Sequence, residues 1–233
     1  MIIGVLCGSF SPPTIAHVNL SQACITQGLC DKIIWVPSND AYKKSTNIKA
    51  SHRCEMSRLA TKDHENIVVS DHELKHETTI STFDSLKQIQ LMYPGDTIRF
   101  IFGADKLHYR WIQKEALITS FEFILIPRDN IDISAIIQSS ATLSRYVDRI
   151  HMVQYDEEIS STKVRDQLYH TGYSNLINAA VLKYIRTNKC YPLQDYLFCP
   201  ECHRPITEGK CFNPLCILGY PIDMFYQNNI KDH

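Results

Sequence analysis

Short apolar runs of β-forming residues alternate with helix-forming stretches from Ile2 to Thr187, and that alternation is what most restricts the fold. The run Ile2-Ile3-Gly4-Val5-Leu6-Cys7 has no polar side to turn to water, so it reads as a strand buried on both faces. Further strands are expected at Lys32 to Pro37, Ile67 to Val69, Ile98 to Phe102, Phe121 to Ile126 and Ile150 to Val153. Helices are expected at Ile15 to Gln27, His52 to Lys62, Ile80 to Met92, Thr162 to Tyr169 and Asn178 to Thr187, with Gly28 and Pro94-Gly95 as stops. Strands that alternate with helices predict an α/β domain with a mainly parallel sheet. In such sheets ligands bind beyond the carboxyl ends of the strands, where the strand order reverses. The loops after Cys7, Val36 and Phe102 are therefore the places for a site.

Two of these strand-to-helix joints carry groups suited to phosphate. The first is Gly8-Ser9-Phe10-Ser11-Pro12-Pro13-Thr14-Ile15-Ala16-His17. Gly8 permits a tight turn and close backbone approach to a ligand. Thr14 and His17, three apart, share a face of the first helical turn, where amide N–H groups and the helix dipole attract anions. An imidazole there can donate to a phosphoryl oxygen as charge develops. The second is Ile159-Ser160-Ser161-Thr162-Lys163-Val164-Arg165, whose hydroxyls cap a helix and whose Thr162 and Arg165 share a face. Taken singly, the first could be only a turn and the second only an N-cap. Found together in one α/β domain, they specify a polyphosphate site.

The first segment is similar to the (His/Thr)-x-x-His signature of nucleotidyltransferases that activate ATP or CTP. The second resembles their Ile-Ser-Ser-Thr-x-x-Arg motif. Pro37-Ser38-Asn39-Asp40-Ala41-Tyr42-Lys43-Lys44, with His52-Arg53 and Met56, resembles eukaryotic-type nicotinamide mononucleotide adenylyltransferases. Glu77-Thr78-Thr79-Ile80-Ser81-Thr82 is closer to the bacterial nicotinate mononucleotide enzymes, and Gly103-Ala104-Asp105, Trp111 and Arg128 follow the order seen in both. The resemblance covers roughly residues 1 to 192. The chain departs from the pattern at Ala16, where glycine is usual, at Thr78, where an aromatic is frequent, in a short stretch between Asp105 and Trp111, and at Glu157-Glu158, where Asn-Asp is frequent in the eukaryotic type.

The resemblance implies a Rossmann-like nucleotidyltransferase domain that joins AMP from Mg²⁺-bound ATP to nicotinamide or nicotinate mononucleotide. It implies that His17 is the catalytic group at the α-phosphate. ATP is then expected at Gly8, Ser9, Phe10, Thr14, Gly103, Asp105, Ser161, Thr162, Lys163 and Arg165. The mononucleotide is expected at Lys43, Lys44, Thr79, Trp111 and Arg128, with Trp111 stacked on the pyridine ring or, in the plainer reading, part of the core. A relative acting on another phosphate and a non-catalytic nucleotide sensor are the competing readings. The Tyr42-Lys43-Lys44 loop argues against the first, and retention of His17, Thr162 and Arg165 against the second.

After Pro192 the composition shifts to Cys, Pro and Tyr, so residues 1–194 form the expected transferase domain and 195–233 a tail. Cys199-x-x-Cys202 and Cys211-x-x-x-x-Cys216 suit a structural zinc ion in a knuckle-like fold, with His203 able to replace one thiolate. An unstructured tail with idle thiols, or disulfides, are the alternatives. The other five cysteines, Cys7, Cys24, Cys30, Cys54 and Cys190, read as small buried apolar residues.

Composition restricts partners and compartment. With 24 Lys and Arg against 25 Asp and Glu, no excess of positive charge supports a broad nucleic-acid surface. No run approaches the ~18 apolar residues of a membrane span. An odd count of nine cysteines without a secretion signal fits a reducing compartment, the cytoplasm, with the nucleus left open. A homo-oligomer is compatible with the sequence.

Overall fold

The computed structural model of the chain describes residues 1–42, 48–108, 111–127, 131–157 and 159–192, and the backbone of 206–207 and 210–211. The chain forms two compact units, 1–159 and 160–233. The domain boundary expected near Leu193 to Tyr196 lies outside the described residues.

The first unit holds six strands: β1 (Ile2–Gly8), β2 (Lys32–Pro37), β3 (Ile67–Val69), β4 (Thr97–Gly103), β5 (Glu122–Ile126) and β6 (Ile150–Met152). They form one sheet in the order β3-β2-β1-β4-β5-β6, and every neighbouring pair is parallel. The order reverses between β1 and β4, which puts the expected ligand crevice beyond their carboxyl ends, at Gly8 and Gly103. Ile3, Val5, Ile34, Val36, Phe100 and Phe123 are buried in one core cluster. Gly4 lets the strands meet closely, since a Cβ there would lie 2.5 Å from Ile33 Cδ1 and 3.0 Å from Ile101 Cδ1.

The helices of this unit are α1 (Ile15–Thr26), α2 (Ala50–Thr61), α3 (Thr82–Met92), α4 (Lys114–Ser120), α5 (Ile133–Ser139) and α6 (Ala141–Arg145). The first three lie within two residues of their expected bounds. Helices α4 to α6 and the 3-10 turns at His72–Lys75, Ala104–His108 and Val147–Arg149 were not expected. They have five or seven residues in the helices and fewer or as few in the turns, too short for an apolar stripe to repeat. Helix α5 has no fully buried residue.

The second unit holds α7 (Ser161–Thr171), α8 (Ala179–Thr187) and a two-stranded antiparallel ribbon, β7 (Ile206–Thr207) with β8 (Lys210–Cys211). Gly172, in the left-handed region at φ 60°, ends α7, and its N–H donates to the Leu168 carbonyl.

Cys24, Cys30 and Cys54 are buried as expected, whereas Cys7 and Cys190 are half-buried. Burial pushes the Cys24 and Cys30 thiols up to about 12, which leaves them inert as nucleophiles.

Candidate active site

The loop after β1 turns at a residue the sequence did not single out for that role. Phe10, not Gly8, takes the left-handed conformation, at φ 47°. Gly8 is not at positive φ, and a Cβ there would meet the Phe10 ring at 3.4 Å, so the turn itself does not call for glycine. The expectation that glycine freedom makes this turn is corrected. Side-chain packing makes it instead. The buried Phe10 ring stacks on Trp35 with centroids 4.8 Å apart and planes 9° apart, and it tilts against His17 at 5.1 Å. A non-glycine residue held at positive φ is strained and needs surroundings that over-determine it.

Thr14 caps α1 from an extended conformation, and His17 is the third residue of the helix. The Thr14 N–H donates to His17 Nδ1 at 3.0 Å, and the Thr14 hydroxyl meets the same nitrogen at 2.7 Å. A backbone amide can only donate, so Nδ1 must offer its lone pair. The neutral ring therefore carries its proton on Nε2 and acts through Nε2–H as a donor. His17 here does what a glutamate does in an ordinary capping box, but without adding negative charge. No acidic residue stands in the first turn of α1, so nothing in that turn repels an anion. The base of the histidine is held too. Ser21 donates through its hydroxyl to the His17 carbonyl at 2.8 Å, and Trp35 Nε1–H donates to Ser21 Oγ at 2.8 Å. Both Ser21 and Trp35 are fully buried.

Arg53 ties the loop after β1 to the loop after β2. Its side chain is fully buried. It donates to the carbonyls of Ile48 (2.9 Å), Ser9 (2.8 Å) and Ser38 (2.6 Å), and Asp40 stands 3.4 Å away as counter-charge. A buried guanidinium is tolerated because carbonyls and a carboxylate take its donors. The Ser9 carbonyl is thus engaged by protein.

At the end of β4, Gly103 is buried and Asp105 is exposed. Trp111 is half-buried. Its ring meets Phe100 edge-on at 5.4 Å and tilts against Phe102 at 5.0 Å, while its Nε1–H donates to the Lys106 carbonyl at 2.9 Å. Part of this indole therefore belongs to the core, the plainer of the two expected roles. Thr79 is exposed in the segment before α3.

Within the second unit, Ser160 caps α7 by accepting from the Lys163 N–H at 3.2 Å. Arg165 Nη2–H donates to Thr162 Oγ1 at 3.1 Å, so the expected shared face is realised. Thr162 and Lys163 are exposed, Ser161 and Arg165 are partly so, and the first turn holds no acid. The expected residues Lys43, Lys44, Arg128, Cys199, Cys202, His203 and Cys216 lie outside the described residues, and of Cys211 only the backbone is described.

Sequence reasoning missed Trp35, Ser21 and the clamping role of Arg53. It also assigned nothing to His72, Glu73 or Asn39, all buried below the loops. His72 meets Ser70 Oγ at 2.9 Å through Nδ1 and Ser85 Oγ at 2.8 Å through Nε2, and burial pushes its pKa down to about 4. Burial pushes the Glu73 carboxyl up. The parallel register of Leu6 with Trp35 is what carries the indole to the strand ends, and it is visible only once β1 and β2 are paired.

Residues 5–167 match the cytidylyltransferase-like family. The chain belongs to that family. It is 31% identical over 195 residues to a Carboxydothermus hydrogenoformans protein named "Probable nicotinate-nucleotide adenylyltransferase", an alignment spanning 81% of this chain and 97% of the relative. It is 28% identical over 200 residues to the nicotinate-nucleotide adenylyltransferase of Bacillus subtilis, spanning 81% and 97%. Its fold is similar to that of the Plasmodium falciparum nicotinic acid mononucleotide adenylyltransferase complexed with NaAD, with a TM-score of 0.65, 23% identity, and 82% and 97% of the two chains covered. The cytidylyltransferase-like match spans both phosphate motifs, from the end of β1 through Arg165.

Proposed function

We propose that this chain is a nicotinate-nucleotide adenylyltransferase, which transfers AMP from ATP to nicotinate mononucleotide and gives nicotinate adenine dinucleotide and pyrophosphate, a step of NAD biosynthesis. The observation that carries this reading is His17, fixed as an Nε2–H donor at an acid-free helix N-terminus. The names of the relatives agree with it.

In this reading a phosphate oxygen of the mononucleotide attacks the α-phosphorus of ATP in line. A bond forms between that oxygen and phosphorus, the bridge to the β-phosphate breaks, and its electron pair leaves on pyrophosphate. No covalent enzyme intermediate is needed, so catalysis is positioning and charge stabilisation. His17 donates through Nε2–H to the α-phosphoryl oxygens. Thr14, Gly8, Ser9 and Phe10 shape the loop around them. Ser161, Thr162, Lys163 and Arg165 hold the β- and γ-phosphates. Gly103 and Asp105 meet a ribose. Lys43, Lys44, Thr79 and Arg128 hold the mononucleotide, and the open part of Trp111 stacks on its pyridine. Mg²⁺ enters as part of the ATP substrate. Measuring pyrophosphate release with Mg-ATP and either mononucleotide tests the reading: release should require the mononucleotide and be faster with the acid than with the amide. Equal or slower release with the acid would overturn the substrate assignment.

The donor set of Cys199, Cys202, Cys211 and Cys216 fits a tetrahedral structural zinc ion, which would cross-link a segment with little core of its own. The ribbon of β7 and β8 carries Cys211 and is the kind of short hairpin such an ion supports. Elemental analysis of purified protein should find one zinc per chain, lost in Cys199→Ser. A zinc-free protein with an unchanged melting temperature would refute the site.

A further inference from the structure

We infer that Asn39 is a positioning residue for the mononucleotide end of the site, acting through the segment His76 to Ile80; the inference rests on the function proposed above. Asn39 follows β2 by two residues and is 1% exposed. Its side-chain amide donates to the carbonyls of His76 (3.1 Å) and Thr78 (2.6 Å), and its Oδ1 accepts from the Ala41 N–H at 3.2 Å. The Tyr42 hydroxyl, from the same loop, donates to the Ile80 carbonyl. The carbonyls at positions 76, 78 and 80 are therefore held by side chains of the loop after β2.

The segment is extended at its two ends, with His76 at φ −100°, ψ 133° and Ser81 at φ −69°, ψ 153°, and it bends at Glu77 and Thr78 between them. No strand pairs with it among the described residues, so the side chains of Asn39 and Tyr42 hold its carbonyls instead. Thr79 is the residue of this segment assigned to the mononucleotide. Its backbone orientation is set by whether Asn39 holds the residue before it.

Asn39 is itself held firmly. Arg53 donates to the Ser38 and Asn39 carbonyls at 2.6 and 3.4 Å, and the Asn39 N–H donates to the buried Glu73 carboxyl. The groups assigned to ATP on α1, Thr14 and His17, are held by Phe10, Trp35 and Ser21 instead. Loosening Asn39 should therefore weaken one substrate and spare the other, a split that general destabilisation would not produce.

Steady-state kinetics of the full chain test this, with each substrate varied at saturating amounts of the other, in Asn39→Asp, Asn39→Ala and Tyr42→Phe. Asn39→Asp loses the two donated hydrogen bonds and Asn39→Ala all three, so KM for nicotinate mononucleotide should rise on the order of tenfold, with a smaller rise in Tyr42→Phe. KM for ATP should stay within about twofold. Amide exchange at Glu77 to Ile80 should quicken in the same variants. Folded variants with an unchanged mononucleotide KM, or with both KM values rising together, would overturn the inference. If the Asn39 variants do not fold, Tyr42→Phe decides alone. Failure of the functional reading is a separate outcome: wild-type protein would then form no product at any mononucleotide concentration.

Discussion

His17 shows how one side chain can be both structure and chemistry. Its Nδ1 is committed to the Thr14 N–H, and that commitment fixes which nitrogen carries the proton. The prediction is specific. In nitrogen-15 spectra near neutral pH, His17 Nδ1 should resonate as an unprotonated nitrogen and Nε2 as a protonated one. A proton on Nδ1 would contradict the capping geometry and remove the proposed donor. The sequence made His17, Thr14, Thr162 and Arg165 legible because short-range helix spacing decides which residues share a turn. It could not make Trp35 or Arg53 legible, since each reaches the site through pairing between segments, such as Arg53 with the Ser9 carbonyl across 44 residues, and Ser21, one turn on from His17, shows its role only once Trp35 is seen to bond it. The sequence marks Phe10 as a ligand contact but not as the turning residue, because a left-handed φ is expected of glycine and here accompanies the Trp35 stack.

Among the elements, the long strands and α1 to α3 were readable from apolar runs, caps and stops, while α4 to α6 were not. The 3-10 turn His72–Lys75 shows what the short pieces can hide. It places His72 between Ser70, just after β3, and Ser85 on α3, as a neutral buried strut. The sign of its pH effect follows. The pKa in the folded chain, about 4, lies below the ordinary imidazole value of 6.5. As pH falls below 6.5 the unfolded chain takes a proton that the folded chain refuses, so stability is lost between 6.5 and 4, by at most about 1.4 kcal/mol per pH unit. Glu73 acts in the opposite direction, because its folded pKa is raised: near and above the ordinary carboxylate range it favours folding as pH falls. Comparing wild type with His72→Gln cancels that background. Between pH 6.5 and 5.5 the wild type should lose about 1 kcal/mol more than the variant in denaturant unfolding. Equal losses would mean that His72 takes up its proton in the folded state.

For the whole molecule, the all-parallel sheet with its order reversed between β1 and β4 places the ends of those strands where an α/β fold binds ligands. The loop after β1 bears the fixed His17, and the loop after β2 is bolted to it by Arg53 and to the segment before α3 by Asn39. No described helix is long and apolar enough to cross a membrane. Low net charge, −1, gives no reason to expect salt-sensitive binding to a polyanion. The fold supplies rigid positions and the loops supply donors, which is what a phosphoryl transfer without a covalent intermediate requires. The most direct measurement is product identity. Wild-type protein and His17→Ala are incubated with Mg-ATP and nicotinate mononucleotide, and the products are separated by chromatography and weighed by mass spectrometry. The wild type should form nicotinate adenine dinucleotide, and the folded variant should form it about 10² to 10³ times more slowly. A folded wild type that forms no dinucleotide, or a variant that matches it in rate, would contradict the account.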